Sequence, residues 1–454
     1  MGAPIAIWLV WQLMLASLSS VAVQGGILLA AGIWAAISLI YWAPRSKANG
    51  GRWYLAAIVW LVGPVILTII KFYPPDMSGP LPTLGRFAST VGYVLGGIAI
   101  LTALRTPRKS AGWVAGGAFV YYAALLLSSG LGAAPALVEP LLVTPLLVLP
   151  FALHGGYTYT WFLRVARSAL RTILLLSAAT LAIAPDIAFN TLEARQVFGV
   201  SRFEGIATHP NTLGIIAVIA FLLEVTTRGR WWWSTLALIS LVFAQSNTAT
   251  IALLVAVLFM TGTFGKAIRW SAAAVILVTA VVGIAEPSIG ARLVEGFTPT
   301  TLDGLNGRTT IWSAALSGLQ SNLLFGYGPT FLSEDYRASV GLGYFGAAAQ
   351  AHNEFIQTLG VAGLMGVAAL VFFAATLIFG AMRARRVTNG LTMALVSVLT
   401  IRSITELSIY PFGVYINTLL PLIVIAIVAA SQEGLEPPLG RGVRRGRRAL
   451  MGYR

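Results

Sequence analysis

The chain has no cysteine. That excludes disulfides, thiolate nucleophiles and cysteine-ligated metals, and leaves the redox compartment open. Charge is scarce as well: 10% of residues are charged, only 15 residues are acidic, and histidine occurs three times. There is no His-x-x-x-His and no Asp-x-Asp, and Glu334-Asp335 is an adjacent pair without ligand spacing. Nothing in the pattern calls for a metal or a cofactor. No repeat of fixed period is present, which sets aside repeat architectures.

What the chain has in abundance is hydrophobicity, at 57% of residues and a mean hydropathy of +0.83. Its apolar runs of roughly 17 to 20 residues match a bilayer core. The pattern predicts an all-α, polytopic integral membrane protein of about 12–14 transmembrane helices with one long extracytoplasmic loop. Spans are expected near 5–23, 26–42, 53–70, 87–104, 112–130, 136–152, 169–188, 210–226, 231–246, 248–262, 270–286, 353–379, 389–407 and 413–430. The first run lacks a basic n-region and a small-residue cleavage site, so it reads as an uncleaved span.

Basic residues set the orientation, because Lys and Arg favour cytoplasmic loops. Arg45, Lys47 and Arg52, then Arg105, Arg108 and Lys109, then Arg164, Arg167 and Arg171 fall in alternate connections. Arg228 and Arg230, Lys266 and Arg269, and Arg383, Arg385 and Arg386 continue the alternation. Both termini are therefore expected in the cytoplasm, with connections 189–209 and 287–352 outside. This topology and an Arg-rich tail facing anionic headgroups account for the net charge of +15 without a nucleic-acid partner. Trp231-Trp232-Trp233 reads as an interfacial anchor. Three regions follow: 1–194, mainly structural helices; 195–430, where polar signals concentrate; and 431–454, a disordered cytoplasmic tail.

Ionisable groups are costly beside a bilayer, so the loop holding Arg292, Glu295, Asp303, Arg308, Glu334, Asp335, Arg337 and His352 draws attention, as does the cluster from Arg202 to Asn211. Helices starting at Pro210, Thr248 and Asn353 direct their N-termini outward, with Thr208 or His209 as a cap at the first and Ser246 in the turn before the second. Such ends attract anions. Arg202 and Arg308 suit forked recognition of phosphate; each is equally able to reach lipid headgroups or to pair with Glu204 or Asp303. His352 reads as a general base or as a cap, and His209 has the same placement. His154 reads as structural. Arg402 and Glu406, four apart, can pair on one helix face; Glu406 either orients a histidine or arginine of the site or simply neutralises its neighbour. Glu224 and Arg228 read as a structural pair. Gly326-Tyr327-Gly328 and Gly341-Leu342-Gly343 read as turns.

Taken in order, Arg202, Gly205 and Pro210-Asn211; Ser246; Gly307-Arg308 with Trp312; Leu324-Phe325-Gly326-Tyr327-Gly328; and His352-Asn353 with Gly360 and Gly363-Leu364-Met365-Gly366 resemble the O-antigen ligase and O-antigen polymerase superfamily of bacterial envelope glycosyltransferases. The likeness spans roughly 195–430; Asn247 stands where the family commonly has a basic residue. The resemblance implies a metal-independent, inverting transfer of a glycan from a polyprenyl pyrophosphate donor to a hydroxyl of a glycan or glycolipid acceptor, at the outer face of a bacterial plasma membrane. It implies that Arg202 and Arg308 hold the pyrophosphate and His352 takes the acceptor's proton; His209, Asn211, Asn353, Ser246, Arg402 and Glu406 are expected as further substrate-binding residues. A polymerase joining lipid-linked repeat units is the related alternative. A lipid-linked glycan transporter or flippase, for which interrupted helices and midplane charges are expected, is the alternative from another class.

Overall fold

A computed structural model of the protein describes residues 53–72, 81–108, 112–183, 185–190, 196–197, 200–261, 265, 308–320, 322–342, 350–411 and 416–433. The spans predicted at 5–23, 26–42 and 270–286, the loop stretch 287–307 and the tail 434–454 lie outside the described residues.

The described residues form a helical bundle. α1 (Trp53–Trp60) and α2 (Ile66–Phe72) flank a π-helical stretch, Leu61–Val65, placed where Pro64 has no N–H to give. There follow α3 (Leu81–Arg105), α4 (Gly112–Leu131), α5 (Glu139–Leu153), α6 (Tyr159–Ile183) and the short α7 (Pro185–Ala188). After a small sheet come α8 (Pro210–Thr226), α9 (Trp231–Ala244) and α10 (Asn247–Phe259). Beyond these lie α11 (Arg308–Gly318), α12 (Glu334–Ser339), α13 (Glu354–Ala384), α14 (Leu391–Thr405) and α15 (Ile416–Gln432). α13 packs on α4, α8 on α9, α10 on α14, and α5 lies between α3 and α15.

The outward faces are apolar: Leu104, Phe119, Trp231, Val242, Leu258 and Val371 are all exposed. Rows of such side chains are unfavourable in water and natural against lipid tails. Among the described residues two helices, Gly112–Leu131 and Glu354–Ala384, the latter interrupted at Gly363, have the length and apolarity to cross a membrane, and further apolar helical stretches run 10–17 residues. α8, with 17 residues, reaches about 25 Å at 1.5 Å per residue.

Several expectations change. The span expected at 169–188 is α6, Tyr159–Ile183, so Arg164, Arg167 and Arg171 lie on a helix and not in a loop. The helix accommodates two of them because the Glu224 carboxylate receives both Arg167 and Arg171, and Arg171 also lies over the Trp233 ring. Glu224 is therefore paired with these arginines, and Arg228 sits in a turn at φ 51°. The chain is also not purely helical. β1 (Phe189–Asn190), β2 (Gln196–Val197) and β3 (Val200–Phe203) form a sheet of order β1-β3-β2 with both pairings antiparallel. This sheet holds Arg202 in its central strand.

The predicted loop before His352 is built, where described, from α11, α12 and a docking segment. α13 is broken at Gly363, whose φ of 58° and ψ of −155° leave the helical region. The backbone groups released there are taken by the segment 323–328. Tyr327 N–H donates to Gly360 O (2.8 Å) and Gly328 N–H to Val361 O (3.0 Å), while Leu364 and Met365 N–H donate to Leu323 and Leu324 O at 3.1 Å. A Cβ on Gly363 would lie 2.5 Å from Leu324 O, so no larger residue fits. The Gly326-Tyr327-Gly328 turn thus serves as a backbone plug for an interrupted helix.

Candidate functional site

The carbonyl end of α9, the capped starts of α8, α10 and α13, and the exit of α14 lie at one end of the bundle. Each start is closed by its own side chain. His209 Nδ1 accepts from Asn211 N–H (3.1 Å), Ser246 Oγ from Ala249 N–H (3.3 Å) and Asn353 Oδ1 from Ile356 N–H (3.0 Å). His209, and not Thr208, is therefore the cap of α8, and one amide at each presumed anion-binding end is already engaged.

Between these ends runs a continuous polar chain. The buried Arg202 guanidinium donates from Nε to Ala244 O at the carbonyl end of α9 (3.3 Å) and from Nη2 to Asn211 Oδ1 (2.7 Å). Asn211 Nδ2 donates to Glu406 Oε1 (3.0 Å), and Glu406 Oε2 meets His352 Nδ1 at 2.9 Å. Glu406 is buried, whereas the His352 side chain is 23% exposed, so the chain runs from the interior to an accessible imidazole. Gly205 permits the turn after β3: its φ is +53° and a Cβ there would lie 2.3 Å from Ser177 Cβ.

The expected Arg402–Glu406 helix-face pair does not form. α14 ends at Thr405, and Glu406 is extended at φ −152°, ψ 171°, which swings its carboxylate toward α8 and His352. Arg402 instead donates through Nε to Leu407 O (3.3 Å). Nor does Arg202 rely on Glu204, which is ion-paired with Lys71. His154 lies at the opposite end, bonded to Tyr54 and Gly155 O.

Arg308 opens α11, and its side chain lies outside the described residues. Trp312, one turn further on, donates from Nε1 to Ala351 O (2.9 Å), which seats α11 beside the residue preceding His352. Tyr327, Phe331 and Tyr336 pack together beneath this segment, and burial raises the Tyr336 phenol above its ordinary range. Among the described residues no three of His, Asp and Glu gather as metal ligands would.

Residues 232–371 match the family model described as O-antigen ligase. That match covers less than a third of the chain and agrees with the resemblance to the O-antigen ligase superfamily. The matched family consists of membrane glycosyltransferases of the ligase and polymerase kind, and the apolar helices of this chain agree with a membrane setting. No curated protein matches the chain. The matched segment includes Ser246, Arg308 and His352, while Arg202, Asn211 and Glu406 lie outside it and yet converge on His352.

Sequence reasoning missed Glu354, Lys71 and Tyr121. Glu354 is 1% exposed at the first position of α13. Its Oε2 accepts from Ser408 and Ile409 N–H (2.7 and 2.9 Å) and its Oε1 from Tyr410 N–H (2.6 Å) and Tyr121 O–H (3.1 Å). Its place directly after His352-Asn353 was the available signal.

Proposed function

We propose that this protein transfers a glycan from a polyprenyl pyrophosphate donor to an acceptor hydroxyl at the extracytoplasmic face of a bacterial plasma membrane. Arg202 and Arg308 hold the pyrophosphate, and His352 is the base. The observation that carries this reading is the 2.9 Å contact of Glu406 with His352 Nδ1. A carboxylate there favours the tautomer with its proton on Nδ1, which makes Nε2 the basic nitrogen. The acceptor O–H proton passes to Nε2 as the oxygen attacks the anomeric carbon. The anomeric C–O bond to the pyrophosphate breaks, and its electron pair leaves on the pyrophosphate oxygen, whose growing charge the guanidinium groups stabilise. One displacement inverts the anomeric centre.

His209 is the weaker candidate, because its Nδ1 already caps α8. A lipid substrate also fits the surroundings. An apolar groove of ≈ 230 Å³ between α13 and α14 is lined by Asn353, the residue after His352, with Phe355, Leu370, Val371, Ile378 and Val396. Joining of repeat units by a polymerase needs the same chemistry and differs only in its acceptor. The transporter reading draws on the broken α13, but the groups freed at Gly363 are satisfied by the protein's own 323–328 backbone and not by a path for cargo.

The test is transfer from a labelled lipid-linked glycan by His352→Ala and His209→Ala proteins at matched expression. His352→Ala is expected to lose about a hundredfold or more in turnover, the scale of a general base, and to keep donor binding. Near-normal turnover in His352→Ala moves the base elsewhere.

A further inference from the structure

We propose that Glu354 is a positioning residue for this reaction: by folding the segment after α14 back over the start of α13, it sets Glu406 on His352 and so fixes the histidine's tautomer. The proposal rests on His352 being the base.

Four donors and no acceptor converge on the Glu354 carboxylate, and three of them are the consecutive backbone N–H groups of Ser408, Ile409 and Tyr410. Such a nest of amides is an anion cradle, here filled by the protein's own side chain. The topology gives the cradle its use. His352 leads into α13 two residues before Glu354, and Glu406 leaves α14 two residues before Ser408. One carboxylate therefore ties together the two chain segments that carry the partners.

Neighbours on the first turn of α13 reinforce the tie. Asn353 Nδ2 donates to Ile404 O (2.9 Å), and Gln357 Oε1 accepts from Ala351 N–H (2.9 Å), pinning the chain on both sides of the His352–Glu406 contact. His352 itself sits at φ 48°, a left-handed conformation that costs energy for a non-glycine residue and persists where its surroundings enforce it. Helix packing alone does not require a carboxylate at position 354. A polar hook that reaches three successive amides of another segment does require one, since an amide in its place would bring its own N–H₂ against those donors.

The experiment uses the full-length protein labelled with ¹⁵N-histidine, in which only three histidines contribute signals, assigned by His154 and His209 substitutions. In the wild type, neutral His352 is expected to carry its proton on Nδ1. In Glu354→Gln, folded protein is expected to show His352 relaxed toward the tautomer mixture of free imidazole, with transfer lowered by about tenfold to a hundredfold, the usual effect of a residue orienting a reactive histidine. Glu354→Asp keeps the charge but falls short of all three amides, so an intermediate mixture is expected, and this variant decides the matter if the glutamine form does not fold. An unchanged Nδ1–H signal in the folded variants overturns the proposal even if activity falls. Full activity in His352→Ala instead overturns the base assignment and leaves the tautomer result standing as a separate fact.

Discussion

Glu224 and Glu406 are both buried carboxylates near the ends of helices in one bundle, and their partners differ. Glu224 receives forked contacts from two arginines: Arg167 Nε and Nη2 at 3.1 and 2.8 Å, and Arg171 Nε and Nη2 both at 2.7 Å. At the same end Arg108 donates to Glu433 and to the Phe151 and Tyr157 carbonyls. Charges matched in this way neutralise one another inside the bundle. Glu406 instead meets a neutral amide through one oxygen and an imidazole through the other, which leaves the far side of the ring turned away from the carboxylate. The first arrangement anchors a helix bundle, and the second orients the histidine proposed as the base.

The comparison breaks most visibly if the anchoring end affects turnover. Glu224→Ala leaves two partly buried arginines without their carboxylate, and a loss of about 3–5 kcal/mol in stability is expected. Thermal unfolding in detergent measures the loss, and transfer per folded molecule is expected to stay at the wild-type level. Reduced turnover without a change in unfolding temperature would erase the distinction between the two ends.

At the site end, Arg202→Lys and Arg308→Lys keep a positive charge and lose the planar fork. Loss of one charge-assisted hydrogen bond, about 1.5–3 kcal/mol, corresponds to roughly a tenfold to hundredfold fall in kcat/KM. Steady-state kinetics with the lipid-linked donor check this. Full rescue by lysine would reduce the arginines to general electrostatics.

The smallest effect is expected at Ser246, whose hydroxyl caps α10. Ser246→Ala is expected to cost about 1 kcal/mol of stability, as cap removals do, with donor affinity unchanged. A donor-binding titration that weakened in parallel would enlarge the site to include this turn.

Much of this was legible in the chain. Proline at 210 announced a helix start, and His352-Asn353 announced another, because caps and first-turn residues leave local marks. The direction taken by Glu406 was not legible. Nothing near Thr405 signals that α14 stops one residue short of Glu406, so helical spacing pointed to Arg402 as its partner. Glu354 carries no local mark of its role, because its three amide partners are more than fifty positions away in the sequence. The break at Gly363 was equally silent, since glycine is common in membrane helices. Arg202 could be singled out from its neighbourhood, whereas its hold on Ala244 O depends on a strand register visible only in three dimensions.

The order of plug and gap along the chain has a consequence for biogenesis. Residues 323–328 are synthesised before 360–365, whose unpaired backbone groups they satisfy. A helix entering lipid with exposed N–H and C=O groups is strongly disfavoured, several kcal/mol for each group. Since the chain emerges from its N-terminal side, the mending segment is already made when the flawed helix arrives, and a circular rearrangement placing 323–328 after α13 would leave that helix to enter the bilayer unmended.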